Sequence, residues 1–364
     1  MAHKTLKKAI KAKKDEFYTQ LTDIEKELRH YKGQFTDKIV YCNADDPFES
    51  NFFKYFASNF NLLGLKKLIA TSYAGSPILG SQLSIFDIKG VKSEKKKEPI
   101  KIVINEVKDF NNDGAIDISD VEYLLKHDKN SATALKGSGD FRSQECLDIL
   151  KEADIIVSNP PFSLFREYIS QLDEYDKKFL IIGNTNAITY KESFALIKED
   201  KMRTGYTNFN VGMFFVVPDD WEKFHHIDDN GKKIARVSTS CWFTNLKVKK
   251  HTEDLILYKA YKGNEDDYPK YENYDAIEVS KVANIPMDYK GNMGVPITFV
   301  DKHNPDQFEI IGFTHRNDPY NLKTKIYTKE DATDFNDLNG SPIVKIGSQY
   351  KSIYMRIIIR NKKL

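Results

Sequence analysis

Short apolar runs separated by polar and turn-forming residues recur along the first two thirds of the chain. Runs bounded by Gly, Pro, Asn or Asp are typical of buried strands, whereas apolar residues spaced three or four apart indicate amphipathic helices. The pattern predicts helices over residues 5–32, 50–60, 121–127 and 164–172. It predicts strands over residues 38–46, 65–73, 100–107, 155–157, 179–184, 210–218 and 235–246. This alternation favours a doubly wound α/β fold.

The end of this region and the rest of the chain have a different pattern. The strands over 210–218 and 235–246 are expected to form a hairpin around the polar segment 225–233. After residue 250, Tyr, Asn, Asp and Lys become frequent, long apolar runs become rare and turn residues recur. We therefore predict two domains, one over residues 1–249 and a mixed α/β region over residues 250–364.

Composition limits the class of protein. The chain has 364 residues, of which 30% are charged, and its formal net charge is +2. This length allows a large buried core, and no apolar run approaches the ~18 residues that a membrane helix needs. No secretory signal opens the sequence. The three cysteines, Cys42, Cys146 and Cys241, are far apart, so we expect neither disulfides nor a zinc site, but a reducing cytoplasm.

Charge is unevenly distributed despite the small net value. Residues 1–14 contain six lysines and residues 345–364 contain six basic residues, and neither segment contains an acid. Two interpretations stay open at this point. Both segments are solvated tails, or both contact the phosphates of a nucleic acid.

The segment with the clearest chemistry is DIIVSNPPFS, residues 154–163. Its apolar run predicts a buried strand that stops at Pro160 and Pro161, which restrict the backbone and lack N–H groups. The residue before a proline is extended, so Asn159 should present its amide at the carboxyl end of the strand. An amide, a free carbonyl and the Phe162 ring suit a planar ligand with an exocyclic amine. The alternative is a proline-rich turn that caps a helix.

The NPPF sequence resembles the catalytic motif of S-adenosylmethionine-dependent amino-methyltransferases, chiefly the DNA adenine-N6 enzymes. Further segments extend the likeness over nearly the whole chain: CNADDPFESNF, NPPFSLFREY, GVPITFVDKHNPDQFEIIGF and YMRIIIR. Together they resemble the EcoRI-type adenine-specific DNA methyltransferases, which are type II modification methylases. This resemblance implies a Rossmann-like methyltransferase core in residues 1–249 and a target-recognition region in residues 250–364.

The resemblance also implies a reaction and its partners. S-adenosylmethionine would supply the methyl group, and a flipped-out adenine in double-stranded DNA would accept it. The enzyme would belong to a restriction-modification system with a cognate endonuclease, and GAATTC, methylated at its inner adenine, is the first site expected. The implied catalytic residues are Asn159, Pro160, Pro161 and Phe162.

The implied cofactor residues come from separate segments. The segment DEFYTQ resembles one that contacts the methionine part of the cofactor, and Asp140 is expected at a strand end one strand–helix unit before NPPF, where it would bind the adenine amine. The loop after the first strand lacks the usual glycines, which the EcoRI-type family tolerates. The expected cofactor residues are Phe17, Tyr18, Thr19, Asn43, Asp45, Asp140, Phe141 and Asn159.

Residues 109–120 resemble an EF-hand calcium loop. Oxygen-bearing residues and a glycine stand at loop positions 1, 3, 5, 6, 9 and 12: Asp109, Asn111, Asp113, Gly114, Asp117 and Asp120. The twelfth residue of such a loop is usually Glu, and a strand rather than a helix precedes this one. The alternative is an Asx-rich turn that caps the following helix.

Other functions remain open from the sequence. A protein glutamine methyltransferase would use the same NPPF chemistry on an amide. A non-catalytic DNA-binding or calcium-dependent scaffold on a methyltransferase fold would explain the missing glycine loop. Glu106 and Lys108 form an E-x-K pattern found in restriction nucleases, although it also fits an ordinary strand end.

Overall fold

The computed structural model describes residues 18–43, 50–73, 99–110, 112, 119–120, 123–124, 132–219, 221–326 and 340–364. The chain folds into two compact units. The first consists of Met1–Phe194 and Thr204–Lys247, and the second of Ala195–Arg203 and Val248–Leu364. The architecture is mixed α/β, with several sheets.

The strands up to residue 247 belong to two sheets. In chain order they are β1 (Tyr18–Thr19), β2 (Ile39–Cys42), β3 (Lys67–Thr71), β4 (Ile100–Ile104), β5 (Ala132–Ala134), β6 (Ile155–Ser158), β7 (Lys178–Asn184), β8 (Arg203–Thr204), β9 (Met213–Val216), β10 (His226–Ile227), β11 (Lys233–Val237) and β12 (Ser240–Thr244). The large sheet has the order β5-β4-β3-β2-β6-β7-β12-β8.

The centre of the large sheet is parallel and its flanks are not. β2 pairs in parallel with β3 on one side and with β6 on the other, and β6 pairs in parallel with β7. β4 runs antiparallel to β3, β5 antiparallel to β4, and β12 antiparallel to β7. Every residue of β2 and β6 is buried, as their unbroken apolar runs predict.

Helices alternate with the strands along this part of the chain. They are α1 (Leu21–Leu28), α2 (Asn51–Ser58), α3 (Phe60–Leu63), α4 (Gln144–Glu152), α5 (Phe165–Glu174) and α6 (Lys191–Lys198). Ser50 caps α2 by accepting from the N–H of Phe52 at 3.2 Å. Helix α5 packs closely on β7, because a Cβ atom built on Gly183 would lie 2.4 Å from the Phe165 ring.

Two predicted elements differ from the structure because the chain changes direction within them. The predicted helix over 5–32 is wrong at its middle, where β1 pairs antiparallel with β9, and the described helix begins only at Leu21. The predicted strand over 235–246 is two strands. β11 pairs with β9, as the predicted hairpin requires, but after Val237 the chain turns and β12 joins the large sheet.

The small sheet of the first unit has the order β1-β9-β11-β10. Two buried carboxylates of α1 fix the segment that leads into β9. Glu27 accepts hydrogen bonds from the N–H groups of Tyr206 and Thr207 and from the Tyr31 hydroxyl, at 2.5–2.6 Å. Asp23 accepts from the N–H of Phe214 at 3.2 Å.

The second unit contains the remaining strands. They are β13 (Ile277–Glu278), β14 (Met293–Pro296), β15 (Phe308–Phe313), β16 (Ile343–Ile346), β17 (Gln349–Ser352) and β18 (Arg356–Asn361). Four of them form a sheet in the order β13-β14-β18-β15, and β16 and β17 form a hairpin. Short 3-10 turns and loops connect them.

The basic carboxyl-terminal segment is not a solvated tail. β18 lies between β14 and β15, and its residues Ile357, Ile358 and Ile359 are at most 2% exposed. Arg356 pairs with the buried Glu278 at 2.7 Å. The interpretation of residues 345–364 as a tail is therefore wrong, because three consecutive isoleucines place the strand Arg356–Asn361 in the core.

Candidate active site

The candidate site lies where the strand order of the large sheet reverses. From β2, the chain builds the sheet on one side through β3 and on the other through β6. In open α/β sheets, ligands bind at the carboxyl ends of the strands beside such a reversal. Here the two strand ends are joined directly, because the Ser158 hydroxyl donates to the carbonyl oxygen of Asn43. Asn43 and Asn159 therefore follow neighbouring strands at the same edge.

The NPPF segment follows β6 immediately. Asn159 is 5% exposed and Phe162 is 7% exposed, so both side chains are largely covered. The Pro161 carbonyl accepts from the N–H of Leu164 at 2.9 Å as the chain enters a short 3-10 turn before α5. No hydrogen bond reaches the Pro160 carbonyl from the residues that the structure describes. That carbonyl remains an acceptor for a ligand.

Tyr168 links three parts of this site, although its position in the sequence does not distinguish it from its neighbours. Its side chain is fully buried on α5. Its hydroxyl donates to the side-chain oxygen of Asn43, and its ring meets the Phe141 ring edge-on at 5.2 Å between centroids. The helix that follows NPPF thereby fixes one residue after β2 and one aromatic ring of the 135–143 loop.

Asp140 lies in a loop rather than at a strand end, so that expectation is wrong. The preceding strand β5 ends at Ala134 and is an edge strand of the sheet. The loop still returns to the carboxyl edge, because Gly139 (φ +72°) passes so close to Ser72, just after β3, that a Cβ atom would lie 1.9 Å from its carbonyl oxygen. Only glycine allows this approach.

The Asp140 carboxylate is held by Arg142. The guanidinium donates from Nε to Oδ1 at 2.8 Å and from a terminal nitrogen to Oδ2 at 2.7 Å. These hydrogen bonds hold the pKa of Asp140 below its usual value. Arg142 also pairs with Glu167 of α5 at 2.8 Å. The carboxylate is thus fixed in its charged form, which is an acceptor for an amine.

Tyr18 and Thr19 are both buried, in β1. The Asn51 side chain, in the first turn of α2, donates to the Thr19 carbonyl at 2.7 Å. Within the described part of the chain, the Thr19 hydroxyl and the Gln20 side-chain nitrogen are buried without a hydrogen-bond partner. Unpaired buried polar atoms are costly, so these two atoms are available for a ligand. Phe17 and Asp45 lie outside the described residues.

The EF-hand-like segment is only partly described. Asp120 is fully buried, and its Oδ1 accepts from the N–H of Phe110 at 2.7 Å. Asn111, Asp113, Gly114 and Asp117 lie outside the described residues. Among those that are described, no group of His, Cys, Asp and Glu side chains could hold a metal ion. Nor does any described helix have the length and apolar character to cross a membrane.

Comparison with known proteins identifies the family. The model of the family described as "Adenine-specific methyltransferase EcoRI" matches residues 5–362. The chain is similar to the type II methyltransferase M.EcoRI of Escherichia coli, with 46% identity over 100% of this chain and 98% of that protein. It is also similar to the type II methyltransferases M.MgeORF184P of Mycoplasma genitalium and M.MpnI of Mycoplasma pneumoniae. Their identities are 36% and 34%, each over 98% of both proteins.

No solved structure matches the chain. The family match covers the segments on which the sequence resemblance rested, including NPPF and the terminal YMRIIIR. It therefore confirms that resemblance. The chain belongs to the EcoRI family of adenine-specific methyltransferases.

Proposed function

We propose that this enzyme is the type II DNA methyltransferase of a restriction-modification system and transfers a methyl group from S-adenosylmethionine to the N6 amine of a flipped-out adenine. The observation that carries the proposal is the hydrogen bond from Ser158 to Asn43. It joins the ends of β6, which leads into NPPF, and β2. The strand order of the sheet reverses at this point, and α/β enzymes bind their ligands beside such a reversal. Residues 1–249 would be the doubly wound, Rossmann-like catalytic core, and residues 250–364 would read the DNA.

Residues around this edge fit S-adenosylmethionine. When bound, this cofactor supplies an electrophilic methyl group on a sulfonium. The buried Thr19 hydroxyl and the Gln20 side-chain nitrogen lack partners among the described residues and would hydrogen-bond its methionine part. Phe17, Tyr18 and Asp45 are further members of the set proposed from the sequence. Asn43, another member, is held by Tyr168 and Ser158 beside the same edge.

Asp140 and Phe141 would hold the adenine end of the cofactor. The charged Asp140 carboxylate would accept from the adenine amine, using lone pairs that Arg142 leaves available. Phe141 would pack beside the adenine ring, while Tyr168 fixes the orientation of the Phe141 ring from its other side. The loop that carries both residues reaches the carboxyl edge of the sheet at Gly139.

Asn159 and Pro160 would activate the target amine. The lone pair of this amine is delocalised into the purine ring, which makes the nitrogen a poor nucleophile. The Asn159 side-chain oxygen and the Pro160 carbonyl would accept hydrogen bonds from its two N–H groups and favour a tetrahedral nitrogen. The lone pair of that nitrogen would then be directed at the methyl group that the cofactor supplies. The rigid proline backbone and the available Pro160 acceptor preorganise this arrangement before the base arrives.

The target base must leave the duplex to reach these groups. Flipping costs a few kcal/mol, and stacking against an aromatic ring such as Phe162 returns about 1–3 kcal/mol. Pro161 would fix the position of that ring, because its carbonyl holds the turn that begins at Phe162. GAATTC, with its inner adenine, is the first site to test, and a cognate endonuclease would cut the same site.

Labelled methyl transfer tests the proposal. The purified chain is incubated with S-adenosylmethionine and unmethylated DNA, and modified bases are mapped by single-molecule sequencing. We expect N6-methyladenine at one short sequence in the DNA. Label in glutamine of added protein, with none in DNA, would instead support the glutamine methyltransferase, and no transfer to either would support a non-catalytic module.

A further inference from the structure

A polar loop of the second unit, residues 315–326, lines an open cleft of about 600 Å³. The cleft is lined by three cations and three neutral polar side chains, namely Arg316, Lys323, Lys325, Asn317, Asn321 and Thr324. Asp318 adds one carboxylate, whose oxygens accept from the N–H groups of Leu322 and Lys323 at 2.8 and 2.9 Å. Positive charge therefore predominates, which suits an anionic polymer.

The 315–326 loop is held firmly by the core beneath it. Tyr320 packs over Gly312, where an added Cβ would lie 2.8 Å from the tyrosine ring, and its ring centroid is 5.7 Å from that of Phe313. At the other end of the loop, the Thr324 N–H donates to the carbonyl of the buried Asn273 at 3.0 Å. These contacts hold the loop at both of its ends, so its exposed side chains start from an anchored backbone.

Three of these side chains have no partner among the described residues. Arg316, Asn317 and Asn321 are exposed, and within the described part of the chain no side-chain hydrogen bond or ion pair is found for any of them. Arginine binds guanine O6 and N7 with two hydrogen bonds, and asparagine binds adenine N6 and N7 in the same way. The residue types therefore match base edges better than phosphates alone.

We propose that the 315–326 loop reads the bases of the DNA site, with Arg316 contacting a guanine and Asn317 and Asn321 contacting adenines. Lys323 and Lys325 border the same cleft and would contact the flanking phosphates. This inference rests on the proposed function, because it takes double-stranded DNA as the substrate. It identifies residues that determine specificity, separate from the residues around NPPF.

Sequence selection from a randomised duplex pool tests the loop. The full chain, with S-adenosylhomocysteine in place of the reactive cofactor, selects duplexes that are then sequenced. Arg316→Ala removes the guanidinium that would bind guanine, and Asn317→Ala removes one amide. Lys281→Ala is the matched control, since it removes an exposed cation of the same unit outside the loop. Thermal unfolding checks that each variant is folded.

We expect the wild type and Lys281→Ala to select the same sequence. With Arg316→Ala, the preference for guanine at one position should fall by roughly tenfold to a hundredfold. With Asn317→Ala, the preference for adenine at one position should fall by a similar factor. The inference would be overturned if both variants selected the same sequence as the wild type, or if they lost base preference equally at every position. It would also be overturned if the wild type selected no sequence. Methylation of the selected duplex is measured separately. Selective binding without methyl transfer would overturn the proposed reaction and leave base reading by the loop supported.

Discussion

The Tyr168 hydroxyl donates a hydrogen bond to the side-chain oxygen of Asn43, two residues that are 125 positions apart in the chain. Asn43 follows the first strand of the large sheet, where most methyltransferases have a glycine-rich loop and this chain has none. Tyr168 belongs to the helix that begins just after NPPF. The bond therefore couples the segment proposed to hold the cofactor to the segment proposed to hold the target base.

Removing this hydroxyl should affect cofactor binding. Tyr168→Phe keeps the ring against Phe141 but leaves a buried amide oxygen without its donor, at a cost of about 1–3 kcal/mol. Calorimetry should show S-adenosylmethionine binding weakened at least several-fold, with kcat at saturating cofactor changed less. Tyr175→Phe at the end of the same helix is the control and should bind normally. An equal loss of cofactor affinity in both variants would contradict the prediction, because it would show a general effect on the helix rather than a specific effect of the Tyr168 hydroxyl.

The pH dependence of cofactor binding should depend on Arg142. Arg142 lowers the pKa of Asp140, so the charged carboxylate is fully available to bind the cofactor at any pH above its ordinary pKa. Its contribution to cofactor affinity is lost only as the pH falls through the lowered pKa. Arg142→Gln should raise this pKa, so that affinity falls at a higher pH than in the wild type. Titrations between about pH 4 and pH 7 check this. Lys151→Gln, which removes a cation paired with Asp148, should leave the profile unchanged.

Arg356 should stabilise the fold of the second unit rather than bind phosphate. It forms a largely buried ion pair with Glu278, and Tyr271 also donates to Glu278. Arg356→Met would leave this carboxylate uncompensated and should lower the free energy of unfolding by about 3 kcal/mol. Arg360 on the same strand is exposed. Arg360→Met should therefore change the free energy of unfolding by less than about 0.5 kcal/mol. Equal shifts of the urea midpoint in the two variants would contradict this role.

The amino-terminal lysines remain the predicted phosphate contacts outside the second unit. Residues 1–14 carry six lysines and lie outside the described residues. Replacing Lys4, Lys7 and Lys8 by Gln should flatten the salt dependence of DNA binding, by ~0.9 in log–log slope for each phosphate that the variant no longer binds. Binding measured across a series of salt concentrations checks this. An unchanged slope would mean that these three lysines are solvated.

Strand positions could be predicted from the sequence because burial on both faces leaves unbroken apolar runs, as in Ile155–Val157. The division between β11 and β12 could not be predicted, because both halves of residues 235–246 are apolar. Only the strands with which they pair distinguish them. The number of basic residues in 345–364 wrongly suggested an exposed tail. Arg356 and Arg360 flank Ile357–Ile359. The three isoleucines bury this strand, whereas a count of basic residues considers only the charges on either side of them.

Residues of the candidate site could be proposed from the sequence only where they belong to one contiguous motif. NPPF is contiguous, so Asn159 and Phe162 could be selected at once. Tyr168 looks like any apolar position of an amphipathic helix, and its partner Asn43 is distant in sequence. Arg142 stands two residues after Asp140, but nothing in the sequence shows that it holds that carboxylate. Such contacts depend on tertiary packing, which no spacing rule encodes.

Asn159→Ala tests the central claim most directly, because Asn159 is proposed to act on the target amine. Transfer of labelled methyl from S-adenosylmethionine to DNA is measured for the variant and the wild type, together with cofactor affinity by calorimetry. We predict that methyl transfer is abolished while the dissociation constant stays within a few-fold of the wild-type value. Near-normal turnover by the Asn159→Ala enzyme would contradict the mechanism.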